Sequence, residues 1–149
     1  MTPYDAVKAQ LSTSVPFANH VGVELLEIGD GVATARLDQR QETSNHIGSQ
    51  HAGAMFTLGE AASGAAMAGG FVSVILNVRP VAAVASIRYV KVAKGTLEAE
   101  AKVAGDVAAL LGELEPNGKV QFAVDVVIRD GEGDPVVEMQ VEWYLSHRR

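Results

Sequence analysis

The 149-residue chain contains no cysteine. That removes disulfides, thiolate metal sites, iron–sulfur ligation and a thiol nucleophile together. Aromatic residues make up only 5% of the chain, and the formal charge is −6 with no basic excess to grip a nucleic acid or an anionic membrane. The first residues show no basic region leading into an apolar stretch, so no signal peptide is read there, and with the missing cysteines this fits the cytoplasm. Charge is also locally scarce. Between Glu42 and Arg79 the one formally charged side chain is Glu60. A carboxylate amid so many Gly and Ala residues argues against a membrane span and for a buried helix in a globular protein.

What is present suits a single domain over residues 1–149, with 48% hydrophobic residues. Val7 and Leu11 at helical spacing predict a helix over residues 3–13, ended by Pro16. Gly29-Asp30-Gly31 between two alternating runs predicts a β-hairpin of residues 23–28 and 32–37. Residues 39–50 read as a loop. Residues 51–68 lack proline and hold one β-branched residue, Thr57, so they read as a helix. Period-two runs predict strands over 84–92, 97–103, 120–128 and 137–145, with a short helix over 106–115. Alternation with polar partners indicates an antiparallel sheet covered on one face. A helix apolar nearly all round must be surrounded, so the fold class expected is α+β, a curved sheet wrapped about the central helix.

Glu60 is the chief candidate for chemistry. Positions 56, 57, 63 and 64 of its helix are Phe, Thr, Ser and Gly, so no cation lies one turn away. Burial without a cation raises a carboxyl's pKa, as a general acid or base near neutrality requires. The competing structural reading is a carboxylate that caps strand or loop N–H groups. The second candidate is the helix approach, Asn45 to Gly53, where polar residues and glycines leave free N–H donors at the positive end of the helix dipole. Such donors stabilise negative charge developing on a carbonyl oxygen. Glu60 lies about 13 Å along the helix from His51, too far to meet its own helix start easily. In a symmetric dimer the start of one helix can face Glu60 of the other. A metal site of His46, His51 and Glu60 is the weaker reading, because the spacing is not that of strong ligand motifs.

Asn45-x5-His51-Ala52-Gly53-x6-Glu60, followed by a small-residue helix and antiparallel strands, resembles the hotdog-fold acyl-CoA thioesterases. The types it is most like are the phenylacetate-pathway-like thioesterases and a related bacterial family of uncharacterised hotdog domains. The resemblance covers roughly residues 17 to 146. It implies a homodimer, often a dimer of dimers, with acyl-CoA sites at the subunit interface; thioester hydrolysis needs only a carboxylate to activate water and a donor for the oxyanion, so no cofactor or metal is expected. It implies Glu60 as general base or nucleophile, the N–H of Ala52 or Gly53 on the thioester carbonyl, Asn45 on water or substrate, and His51 shaping the pocket. Phe56, with Met55 and Met67, is expected to set pocket depth; the hydroxyl that assists water in some members is expected to be either absent or supplied by Thr57, Ser63 or Ser86. Two departures stand out: Ala52 replaces the first glycine of His-Gly-Gly, and alanines stand at 82 and 83 where some members carry Ser or Thr. Arg79, Arg88, Lys91 and Lys94 form the one basic stretch and are expected either to face solvent or to meet the phosphates of coenzyme A. Other readings are a non-catalytic acyl-CoA-binding or assembly module of the same fold and, less favoured, a dehydratase. His20 and His147 are expected near the surface.

Overall fold

The computed structural model describes residues 1–148. Helix α1 (Pro3–Ser14) opens on a capping box, in which the Thr2 hydroxyl accepts from the Asp5 N–H and the Asp5 carboxylate accepts from the Thr2 N–H. Pro16 ends α1 as expected, but it also starts a second helix, α2 (Pro16–Val21), which the sequence reading did not anticipate. Proline is well suited to a first helical position, since its missing N–H would be unpaired there anyway. Gly22 closes α2 in the left-handed conformation, with φ 99°.

Strands β1 (Glu24–Gly29) and β2 (Val32–Leu37) form the expected hairpin. After a polar loop comes the long helix α3 (Ala52–Gly70), then β3 (Val78–Tyr89), β4 (Leu97–Val103), α4 (Val107–Asn117), β5 (Lys119–Arg129) and β6 (Pro135–His147). The sheet is antiparallel with order β1-β2-β4-β5-β6-β3. Strand β3 begins six residues before the expected start at Val84. Two features hide that start: Pro80 within the run, and a register shift between Ala82 and Val84 that breaks the alternation. Both are tolerated because β3 is an edge strand.

Helix α3 packs against β1, β2, β4, β5 and β6, so the sheet wraps it as the patterning requires. Its small residues make that possible. A Cβ at Gly69 would overlap the carbonyl of Gly29 at the hairpin turn, and one at Gly59 would press on the Met139 sulfur. Phe71, at the end of α3, stacks on Phe122 of β5 with ring centroids 4.9 Å apart, a contact worth about 0.5–1.5 kcal/mol beyond its burial. The helix is thereby fixed along its length. One stripe, containing Phe56, Glu60, Ala61 and Gly64, stays partly open. No helix among the described residues is both long and apolar enough to cross a membrane.

Candidate active site

Glu60 sits on the open stripe of α3 and is half-buried. Its carboxylate has no hydrogen bond or ion pair among the described residues, so it is not a cap for strand or loop N–H groups. Burial alone raises its pKa above the ordinary glutamate value. The backbone beneath it is held firmly. Ser63 is fully buried, its hydroxyl donates to the Glu60 carbonyl at 2.7 Å, and its oxygen accepts from Trp143 Nε1 at 3.0 Å. Trp143 comes from β6, eighty residues away in sequence. The Glu60 side chain opens into a cleft bounded by α1, α2, β1 and the Pro80–Trp143 corner of the sheet.

The start of α3 has a different environment. His51 is the N-cap, and its Nδ1 accepts from the Gly53 N–H at 2.8 Å. The neutral ring therefore carries its proton on Nε2. Of the two N–H groups singled out in the sequence, that of Gly53 is already committed. Ala52 is the first helical residue, and its N–H has no acceptor within the helix. His51, Ala52 and Gly53 are all exposed, so within one chain this helix start is open rather than buried. The Ala52 carbonyl accepts from the Tyr89 hydroxyl at 3.1 Å, tying the helix start to the end of β3. Asn45 organises the loop before it. Its Oδ1 accepts from the Ile47 and Ser49 N–H groups and its Nδ2 donates to Ser49 Oγ at 2.8 Å. Asn45, Ala52 and Tyr89 line a cleft separate from the one that holds Glu60. The two halves of the candidate chemistry thus open into different clefts of one chain.

The remaining candidates divide sharply. Phe56 lies one turn before Glu60 on the same open stripe. Thr57 is buried, and its hydroxyl donates to the Gly53 carbonyl at 2.9 Å. With Ser63 engaged as described, neither hydroxyl is turned to a water beside Glu60. The basic stretch does not form a patch. Arg88 pairs with Glu138 at 3.8 Å, and Lys91 bridges Asp130 and Asp134 at 3.0 and 2.9 Å. Arg79 lies at the opposite end of β3, about 30 Å from Arg88 at the rise of an extended strand. His46, His51 and Glu60 do not converge. The one candidate metal-ligand cluster among the described residues is Asp130, Glu132 and Asp134, and the Lys91 ammonium already bridges two of its three carboxylates. His20 and His147 are exposed, as expected. Three contributors escaped the sequence reading: Trp143, Tyr89 and Gln50, which is buried and donates to the Gly95 carbonyl at 3.0 Å. Trp143 was visible only as one member of an alternating apolar face.

A family model described as a domain of unknown function, DUF4442, matches residues 4–145. The chain belongs to that family. Solved structures show that this DUF4442 chain has the hotdog fold. A Pseudomonas aeruginosa protein of unknown function, described as a probable thioesterase, superposes with a TM-score of 0.83 at 24% identity, over 99% of this chain and 97% of that one. The PaaI protein from the phenylacetic acid degradation operon of E. coli gives 0.72 at 16% identity, over 99% and 94% of the two chains. A hypothetical thioesterase from Streptococcus pneumoniae, solved with coenzyme A, gives 0.68 at 21% identity over 95% and 98%. No curated protein matches the sequence significantly.

Proposed function

We propose that this DUF4442 protein is an acyl-CoA thioesterase that works as a homodimer, each site combining Glu60 of one protomer with the Ala52 N–H of the other. The observation that carries the reading is the Glu60 carboxyl, half-buried without a partner among the described residues and opening into a cleft. A bare carboxylate at such a place costs stability, so its presence there is better accounted for by a chemical role than by a structural one. Hotdog neighbours named as thioesterases, one of them bound to coenzyme A, support the choice of reaction.

The chemistry needs two groups. As general base, Glu60 takes a proton from water while the water oxygen bonds to the thioester carbon. The resulting oxyanion is held by the Ala52 N–H, reinforced by the helix dipole. Collapse breaks the C–S bond, the thiolate of coenzyme A recovers the proton, and the acid leaves. Glu60 acting as nucleophile uses the same oxyanion donor, through an anhydride that water then opens. Asn45 and His51 serve by fixing the loop and the cap that present Ala52. Dimerisation is supported by β3, an edge strand with Val81, Val84 and Tyr89 exposed at 41, 51 and 45%. Pro80 and the register shift at Ala82 and Val84 blunt only the first part of this edge; Val84–Tyr89 pairs with β6 in unbroken register and leaves its other side as an open apolar edge, a surface suited to pairing.

Complementation tests the shared site directly. Proline is compatible with a first helical position, and His51 already has the extended conformation a following proline favours, so Ala52→Pro deletes one N–H and little else. Ala52→Pro and Glu60→Gln are each expected to lower thiol release from acyl-CoA by about 10²-fold or more. When the two are unfolded and refolded together, heterodimers carry one intact site, and activity should recover to about a quarter of wild type. No recovery would place both groups in one chain's site. Undetectable release by the wild type, with acyl-CoA still bound, would establish the binding-module reading instead, which the Ala52 departure from the thioesterase motif favours.

A further inference from the structure

The cleft that Glu60 opens into is a cavity of about 220 Å³. One wall is α3 itself, where Ala61 and Gly64 present almost no side chain. The facing wall is the N-terminal helix pair, through Leu11, Val15 and Ala18, and Trp143 lines the sheet side. We propose that this cavity receives the acyl group, and that the α1–α2 pair limits it to a compact one, aromatic or aliphatic, of about eight carbons. The inference rests on the hydrolase reading above and adds to it the substrate class and the residues that select it.

Three observations carry it. The first is chemical complementarity: the lining is mainly apolar, with the Glu60 carboxyl at its wall, so a chain buried there leaves its carbonyl beside the catalytic oxygen. Size is the second. A dry apolar cavity of about 150 Å³ accommodates benzene, so 220 Å³ takes a ring with two further carbons or an octanoyl chain, whereas a sixteen-carbon chain overfills it. The third is that the outer wall is fixed in place. The Arg40 guanidinium donates to the carbonyls of His20 and Val21 at the end of α2 and so anchors that helix to the loop before α3, while Leu11 packs α1 against the core. Neither helix holds its place by deep burial, since Val7 and Ala18 are the only buried residues of α1 and α2.

Trp143 is the single tryptophan of the chain and lines this cavity, so its emission reports occupancy whether or not the thioester turns over. The experiment titrates Glu60→Gln protein with octanoyl-CoA brominated on its acyl chain, with coenzyme A alone as control. Saturable quenching by the brominated thioester and none by coenzyme A is expected. In parallel, kcat/KM is measured for acetyl-, octanoyl-, dodecanoyl- and palmitoyl-CoA on wild type, Leu11→Ala and Val15→Phe. Octanoyl-CoA should be preferred over palmitoyl-CoA. Leu11→Ala should raise the dodecanoyl-to-octanoyl ratio by about tenfold, and Val15→Phe should lower the octanoyl-to-acetyl ratio by a similar factor. Val15 is exposed between the two helices, so that variant retains its fold even if Leu11→Ala does not. Turnover with an unchanged chain-length profile in Val15→Phe, or binding without quenching, overturns the assignment of the cavity and leaves the hydrolase reading standing. If no thioester is hydrolysed, that reading fails, and the quenching alone decides whether acyl groups enter here.

Discussion

Two sets of carboxylates in this molecule have opposite circumstances. At the β5–β6 turn, Asp130 and Asp134 share the Lys91 ammonium at 3.0 and 2.9 Å, and Asp130 Oδ1 accepts the N–H groups of Glu132 and Asp134 as well. The Lys91 hydrogen bond holds the Asp130 carboxyl below its ordinary value, and both partners hold the ammonium well above its own. Asp130, Asp134 and Lys91 are all partnered; Asp130 is tucked under the turn, but Lys91 and Asp134 are exposed, and pairs that reach the solvent contribute little. Among the described residues Glu60 has no partner, and it is half-buried. The paired carboxylates are held ionised by their donors, whereas the lone half-buried one has its pKa raised by burial.

The largest way to break this contrast is to remove the free charge. Glu60→Gln should lower turnover by about 10²-fold or more while the protein melts at or above the wild-type temperature, because a neutral amide is cheaper to bury than an unpaired carboxylate. Thiol-release kinetics and a thermal melt on the same preparation check both halves. A variant that is equally slow but markedly less stable would mean that Glu60 is structural after all.

The contrast also has a pH signature. Burial raises the folded-state pKa of Glu60, so the folded protein holds that proton more tightly than the unfolded chain. The associated stabilisation is complete below the ordinary glutamate range and disappears as pH rises through the raised value. Activity runs the other way, since a base or nucleophile works only when deprotonated. Relative to Glu60→Gln, the wild type should therefore lose thermal stability across the same interval in which its kcat/KM rises, about tenfold per unit on the acidic limb. Paired melting curves and pH–rate profiles test the coincidence.

How much of this was legible beforehand follows from the range of each interaction. Glu60 stood out because local composition isolates it, and the α+β layout followed from periodicities in single segments. The second helix did not, because Pro16 reads equally as a stop and as a first helical residue. Strand β3 was entered late because its proline and its irregular register are permitted by edge position, a property of the assembled sheet. The commitment of the Gly53 N–H to His51 depends on one ring orientation, and the support of Glu60 by Ser63 and Trp143 joins residues eighty positions apart. No local pattern encodes either. The sequence motif therefore offered two candidate donors, and among the described residues side-chain geometry engages the one on Gly53 and not the one on Ala52.

The smallest expected effect belongs to the paired cluster. Lys91→Ala removes both ion pairs at once, yet these pairs hold an exposed turn and are screened by salt. The melting temperature should fall by about 1–2 °C at low ionic strength and by less in 1 M salt. The turn still keeps its backbone closure, with the Asp130 N–H on the Asp134 carbonyl at 3.0 Å. The informative partner is Asp130→Asn, whose amide keeps Oδ1 as acceptor for the two backbone N–H groups but turns Oδ2, the acceptor from Lys91, into a donor, so the charge and that hydrogen bond are lost together. If both substitutions give the same small, salt-sensitive loss, the cluster is purely electrostatic. A larger, salt-insensitive loss in Lys91→Ala alone would show that the aliphatic stem of Lys91 packs the turn, and would move this cluster toward the structural role that Glu60 lacks.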